Sequence, residues 1–358
     1  MKHLVVMAAG TGGHVMPGLA VAAEMQQRGW SVSWLGTSSG MENKLVPPTG
    51  IALDRISFAG MRGKGLFANL LGALHLLIAF GTCSRLLARR RADVVLGMGG
   101  YVCFAGGLTA WLQGRPLLLV NADASLLLSN KALKWAARKI AFGFAGEAAE
   151  AMGTKAVVTG NPVRAEIEAI AAPAERFSGR SGVLRLLVVG GSLGARVLNE
   201  FVPQAIALLP AAARPRVTHQ TGEAGRAAVQ SAYAAATADA EVLPFIDDMA
   251  ARLASCDLIV CRAGAITVSE LCAAGVAAVL VPLVVSTTAH QRDNAAWLAG
   301  QGAAIHLPQS ELSATRLADL IGGLTRHALL AMATKARSLA RPHAASRVAD
   351  EIEAMAAP

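Results

Sequence analysis

Aromatic residues are scarce in this sequence, at 4% of 358 positions, and only two are tyrosines. Basic side chains are not interleaved with rings on which bases could stack, so nucleic acid is the least favoured partner. Cysteine is sparse as well: five residues, odd in number and without CxxC spacing. That argues against a disulfide framework or a zinc site and favours a reducing compartment, with Cys256 and Cys261 read as small core residues. Long apolar runs are missing too. The best candidate, LFANLLGALHLLIAF at 66–80, carries Asn69 and His75 and falls short of the ~18 residues a membrane-spanning helix needs. Lys2, a brief apolar run and Ala8-Ala9-Gly10 imitate a secretory leader only faintly, so the start reads as mature protein. Charged residues are just 16% against 54% hydrophobic, enough apolar surface for large cores and about two domains.

The charge that is present is unevenly spread. Residues 1–160 hold 16 Lys and Arg against 7 Asp and Glu, whereas 161–358 hold 17 of each, so the whole +9 excess lies in the first half. Such asymmetry marks a face for an anionic partner. The run Arg89-Arg90-Arg91, taken alone, reads as the solvated C-terminal end of a helix.

Apolar runs alternate with helical patterns, the signature of parallel strand-helix-strand units, and the order then starts again. LVVMAAGTGG from Leu4 has a counterpart in LLVVGGSLGA from Leu186, DVVLGMGG from Asp93 in DLIVCRAG from Asp257, and PLLLVNAD from Pro116 in AAVLVPLV from Ala277. The expectation is an α/β protein of two Rossmann-like domains with parallel sheets facing an interdomain cleft, divided near Gly160-Asn161-Pro162. Helices are expected over 17–28, 66–90, 129–138, 196–209, 223–237, 267–274, 290–300, 313–323 and 328–355, the last broken near Pro342.

The glycine loops are neither of two familiar nucleotide motifs. GxGxxG from Gly10 would need glycine at Val15, which disfavours NAD; GMRGKG at 60–65 has Gly65 where a P-loop needs Ser or Thr, which disfavours ATP. What remains is the open helix N-terminus as an anion site, offered by Gly10 to Gly13, by Gly190 to Gly194 with Ser192, and by Arg262 to Thr267. In RAGAITVSE, Glu270 either accepts hydrogen bonds from a ribose diol or is an exposed acid favourable to the dipole. At a positive helix end the His14 imidazole is expected to stay neutral. It then either takes a proton from a hydroxyl or donates a hydrogen bond to a phosphate or to the backbone. His290-Gln291 opens a segment whose polar side chains point toward the expected cleft. Asp247-Asp248 lack DxD spacing, so no metal or other cofactor is expected, and helix dipoles with Arg164 or Arg262 would carry a diphosphate's charge.

Taken in order, GTGGHVMPGLAVA, WLGT, RGKG, DVVLGMGGYV, LSNKAL, VTGNPVR, LLVVGGSLGAR, FIDDMA, TVSE and HQ-x2-NA cover essentially the whole chain. This series resembles the MurG family, bacterial transferases that add N-acetylglucosamine from its UDP donor to lipid I, giving lipid II for peptidoglycan. The resemblance implies a GT-B fold: domain 1–160 for acceptor and membrane, domain 161–342 for UDP-N-acetylglucosamine, and a helix within 343–358 returning to the first. It implies an inverting, metal-independent transfer by a peripheral enzyme at the cytoplasmic face of the inner membrane. Donor contacts carried over are Thr11, Gly12, Gly13, Arg164, Ser192, the main chain at Ile246, the segment Ala265, Ile266, Thr267, Val268, Ser269 and Glu270, and Gln291 with His290. Glu270 would hold the ribose, Gln291 the sugar hydroxyls, and His14 would stand near the acceptor hydroxyl. Apolar 66–80, flanked by Arg62-Gly63-Lys64 and Arg85, would meet an anionic membrane, or else form a core helix. The family's HEQN segment is replaced by Val120-Asn121-Ala122-Asp123, so Asp123 stands for an amide and either binds a sugar hydroxyl or shares the base role with His14. Ala9 and Ala263 replace a glycine and a serine. Competing readings are a UDP-N-acetylglucosamine 2-epimerase, a glycolipid synthase using diacylglycerol, and a non-enzymatic membrane adaptor. Oligomeric state is not legible.

Overall fold

A strand followed by a helix and a second parallel strand places its strand-to-helix loop at the C-terminal edge of the sheet, and this chain repeats that unit throughout. The computed structural model describes residues 1–10, 12–56, 66–191, 193–283 and 289–357, with the side chains of 66–76 left aside. The chain divides into two compact units, Met1–Pro162 with His343–Pro358, and Val163–Pro342.

The first unit holds seven strands: β1 (His3–Ala8), β2 (Ser31–Thr37), β3 (Ala52–Ile56), β4 (Val94–Gly99), β5 (Leu117–Asn121), β6 (Lys139–Phe142) and β7 (Ala156–Val158). They pair in parallel in the order β3-β2-β1-β4-β5-β6-β7. Side-chain alternation sends Leu4, Val6 and Ala8 to one face and Val5, Met7 and Ala9 to the other, each joining its own buried cluster. The first cluster is walled by Val348, Ala349, Ile352 and Met355 of the helix Ala344–Met355. Arg28 fastens that helix, donating to Asp350 at 2.7 Å, Glu353 at 2.8 Å and Ser346 Oγ at 2.8 Å.

The second unit holds β8 (Arg185–Val189), β9 (Arg216–Gln220), β10 (Ala240–Leu243), β11 (Leu258–Cys261), β12 (Ala278–Leu280) and β13 (Ile305–His306), parallel in the order β10-β9-β8-β11-β12-β13. In both sheets the strand order reverses at one point, between β1 and β4 and between β8 and β11. Ligands of such sheets bind outside the strand ends at that reversal.

Several helix limits differ from expectation. The first helix spans Gly12–Gln27 and not 17–28, so Pro17 lies within it and His14 inside its first turn. The longest unexpected helices are Val102–Leu112 and Met249–Ser255, with shorter ones at Glu42–Leu45, Glu147–Glu150, Ala165–Glu168 and Pro173–Phe177, while the one expected over 129–138 shortens to Leu128–Leu133. The stretch 328–355 divides into Arg326–Ser338 and Ala344–Met355. Arg89 and Arg90 are not merely solvated: both pair with Asp54 at 2.8 Å. All five cysteines are buried, and no helix among the described residues is long and apolar enough to cross a membrane.

Candidate functional site

At the reversal of the second sheet lies a cavity of about 540 Å³. It is walled by Gly190, Gly191 and Gly194 after β8, by Arg262 and Gly264 after β11, and by Thr267, Gln291 and Gln309. Two helices begin at its wall, Arg196–Leu208 and Ala265–Ala274, and neither has a side-chain cap on its first turn. Open N–H groups and the positive ends of two dipoles thus converge on one space. Arg262 adds a full charge. It donates from Nη1 to the Val281 carbonyl at 3.0 Å and to Gln309 Oε1 at 2.9 Å, both neutral, and burial lowers its pKa with no acidic side chain offsetting that effect. A half-buried guanidinium so placed gains most from an anion entering the cavity.

Gln291, in the first turn of the helix His290–Gly300, accepts the Leu283 N–H at 2.9 Å through Oε1, which turns its NH₂ into the donor a ligand would meet. Further along the cavity helix Ala265–Ala274, Glu270 is held by Arg164, with Nε at 3.1 Å and Nη2 at 3.0 Å from Oε1. Burial raises the Glu270 pKa, and Arg164 works against that rise. Glu270 is therefore an oriented, mostly buried carboxylate, not the exposed acid of the alternative reading.

At the reversal of the first sheet, the first turn of the helix after β1 carries His14, the end of β4 carries Gly99-Gly100 and the loop after β5 carries Asp123. The His14 ring packs directly on Gly99: a Cβ built there would fall 2.5 Å from Nδ1, and Gly99 has φ +127°, a value that L side chains rarely adopt. Asp123 is held from below by Asn121, which is fully buried. Asn121 Nδ2 donates to the Asp123 carbonyl at 2.8 Å and the Ser125 carbonyl at 3.1 Å, and its Oδ1 accepts from Leu127 N at 2.9 Å and Asn130 Nδ2 at 3.1 Å. Glu42, also fully buried, accepts from Gly10 N at 3.0 Å, Thr37 N at 2.9 Å and Thr37 Oγ1 at 2.7 Å. Burial opposes its ionisation, yet these hydrogen bonds prevail and hold its pKa below the ordinary value. Gly10's N–H is thereby spent, which removes it from the anion donors expected of the first glycine loop.

A model of the glycosyltransferase family 28 N-terminal domain matches residues 4–142, and one of the family 28 C-terminal domain matches 185–352. A UDP-N-acetylglucosamine–N-acetylmuramyl-(pentapeptide) pyrophosphoryl-undecaprenol N-acetylglucosamine transferase from Methylibium petroleiphilum is 67% identical over 357 residues, covering 98% of this chain and 97% of that one. The crystal structure of Acinetobacter baumannii MurG matches with TM-score 0.87 at 38% identity, over 99% of this chain and 100% of that chain. The chain belongs to the MurG family.

It is accordingly a glycosyltransferase of GT-B fold, each unit carrying one Rossmann-like domain. The UDP-GlcNAc 2-epimerase of Neisseria meningitidis, solved bound to UDP-GlcNAc, has TM-score 0.67 at 12% identity, over 99% of this chain and 100% of that chain, and so shares the fold alone. Of the residues that the MurG pattern singles out, Gly12, Gly13, His14 and Asp123 belong to the first unit and the described remainder to the second. Thr267 and Gln291 line the cavity with Arg262, whereas Arg164, Glu270, Ile246 and His290 do not. Within 265–270, Ala265 and Ile266 sit in the uncapped first turn. Val268 is buried with its N–H bonded to the Gly264 carbonyl, and Ser269 Oγ donates to the Ala265 carbonyl. Ile246 N–H is taken by Gln220 Oε1 at 2.9 Å, so its carbonyl alone of its main-chain groups is left for a ligand. Thr11, Ser192 and Arg62-Gly63-Lys64 lie outside the described residues. Sequence reasoning missed Gln309, Asn121, Gln220 and Glu42. Asn121 and Gln220 shared one signal, a polar residue closing an otherwise strand-like run.

Proposed function

We propose that this MurG-family enzyme moves N-acetylglucosamine from UDP-N-acetylglucosamine to the C4 hydroxyl of the muramyl sugar in lipid I, giving lipid II. The observation that carries the reading is the cavity in which two uncapped helix N-termini and a carboxylate-free Arg262 converge. This is a site for a diphosphate. In an inverting transfer the acceptor oxygen bonds the anomeric carbon as that carbon's bond to the diphosphate oxygen breaks. The electron pair leaves with UDP, and the charge it gains is met by Arg262 and the two dipoles. Glu270, oriented by Arg164, takes the ribose hydroxyls; Gln291, with His290, takes sugar hydroxyls through its amide; the Ile246 carbonyl meets the base. Gly12 and Gly13 contact the donor, and His14 removes the acceptor proton, with Asp123 the other base within reach of the same strand ends.

Membrane association belongs to the same proposal. The described part of the apolar segment exposes Leu77 and Ile78, and an edge-to-face pair of half-exposed tryptophans, Trp111 and Trp135 at 4.7 Å, stands with exposed Leu112 in this basic half. Amphipathic rings and cations suit the anionic inner face of a bilayer. Binding to vesicles with anionic lipid that survives Trp111→Ser and high salt together would refute that surface.

The transfer itself is tested with labelled UDP-N-acetylglucosamine and a soluble lipid I analogue, in EDTA. Transfer that His14→Ala abolishes and Asp123→Asn spares is the expected result. Loss only in Asp123→Asn moves the base to Asp123. Absent transfer by the unaltered enzyme, with UDP still bound, overturns the lipid acceptor.

A further inference from the structure

One side chain braces two loops of the second unit. Gln220 ends β9 and is 2% exposed; it stands in register with Val189 at the end of β8 and with Leu243 at the end of β10. Its amide is used from both sides. Nε2 donates to the Gly191 carbonyl at 2.8 Å, and Oε1 accepts the Ile246 N–H at 2.9 Å. The same Gly191 carbonyl also closes the glycine turn by accepting from Gly194 N at 2.9 Å. That turn is seated on the chain just after Gln220, since a Cβ on Gly194 would lie 1.8 Å from the Thr221 carbonyl oxygen.

We propose that Gln220 is a positioning and specificity-determining residue for the nucleotide: it fixes the spacing between the diphosphate loop after β8 and the base-reading main chain after β10, and sets which polar group Ile246 offers. This rests on reading the cavity as a UDP-sugar site. Because Gln220 consumes the Ile246 N–H, the peptide presents an acceptor. No described hydrogen bond reaches the Ile246 carbonyl. A carbonyl matches a base whose ring nitrogen carries a hydrogen, as in uracil, and opposes one whose ring nitrogen is an acceptor, as in cytosine. The amide serves both loops at once through its two ends. A carboxylate could still accept from Ile246 but would face the Gly191 carbonyl with no hydrogen to give.

The experiment is calorimetric binding of UDP and CDP to the full-length enzyme and to Gln220→Met and Gln220→Glu, with thermal melts as a check on folding. The unaltered enzyme should prefer UDP by at least about tenfold, of the order of one well-made hydrogen bond. Gln220→Met should weaken UDP by about tenfold or more and shrink the preference, because the Ile246 N–H is released. Gln220→Glu should weaken UDP yet keep the preference. UDP affinity within twofold in both variants overturns the proposal, as does weakened binding in Gln220→Met with the preference intact, the mark of a merely structural role. If Gln220→Met does not fold, Gln220→Glu decides: weaker UDP with the preference kept supports the proposal, and unchanged affinity overturns it. An unaltered enzyme that binds no UDP overturns the reading of the cavity itself, an outcome distinct from variants that bind UDP as well as it does.

Discussion

Replacing Gly99 with alanine tests whether the placement of His14 matters. The new Cβ would sit 2.5 Å from Nδ1 and 2.7 Å from Cε1, so to reach ordinary contact the imidazole has to yield by about 0.9 Å. The backbone adds its own cost, because φ is +127°; an L residue in such a region costs about 1–3 kcal/mol. In a unit of this size that corresponds to a fall in Tm of several degrees. The larger effect is on rate, since misplacing a reacting group by about 1 Å can cost about a hundredfold. The assay is kcat for transfer to the lipid I analogue, beside UDP affinity, which should not change because the cavity belongs to the second unit. Combining Gly99→Ala with His14→Ala gives the internal control. The doubly altered enzyme should be no slower than His14→Ala alone and should recover the part of the stability lost to the clash. A Gly99→Ala enzyme that keeps kcat within about threefold would refute the argument that the ring must stay where Gly99 allows it.

Two further outcomes follow from the buried polar groups. Glu42 has a folded pKa below its ordinary 4.5, so its stabilisation is full above that value and is lost as pH falls through the lower folded value. Melts of Glu42→Gln should lie below those of the unaltered protein by a constant gap from pH 6 to 8, with the gap closing below about pH 4.5; a gap that widens in acid would reverse the sign. Arg262→Gln should weaken UDP by about tenfold to a hundredfold, as for a hydrogen bond to a charged group. It should leave uridine nearly unaffected, and equal losses for both ligands would place Arg262 away from the phosphates.

The strands and their order of repetition were legible because parallel, doubly covered strands read as short apolar runs emptying into glycine. The helix Val102–Leu112 was not. Its residues are nearly all apolar, so no stripe of period 3.6 stands out, and Gly106 and Gly107 read as breakers. In the structure they are contact surfaces: a Cβ on Gly106 would meet Met7 at 2.3 Å and one on Gly107 would meet Leu133 at 2.8 Å. Pro17 misled in the other direction, since proline favours a first turn but here lies beyond it. Within the site, Thr267, Gln291 and Arg262 were readable because glycine loops and helix starts have local signatures. Gln220 and Gln309 act through partners 26 to 47 positions away, and that spacing exists only once the sheet has formed.

Arg28 finds Asp350 and Glu353 across 322 and 325 positions of chain. On the ribosome, the helix that walls the first core is therefore made after the whole of the second unit. Until it arrives, the face lined by Leu4, Val6 and Val21 lies open, and the half carrying His14 is an unfinished fold. Order of synthesis thus sets order of completion: the second unit can be finished while the first is still waiting for its last wall, and a nascent chain cannot present a finished first unit ahead of the second.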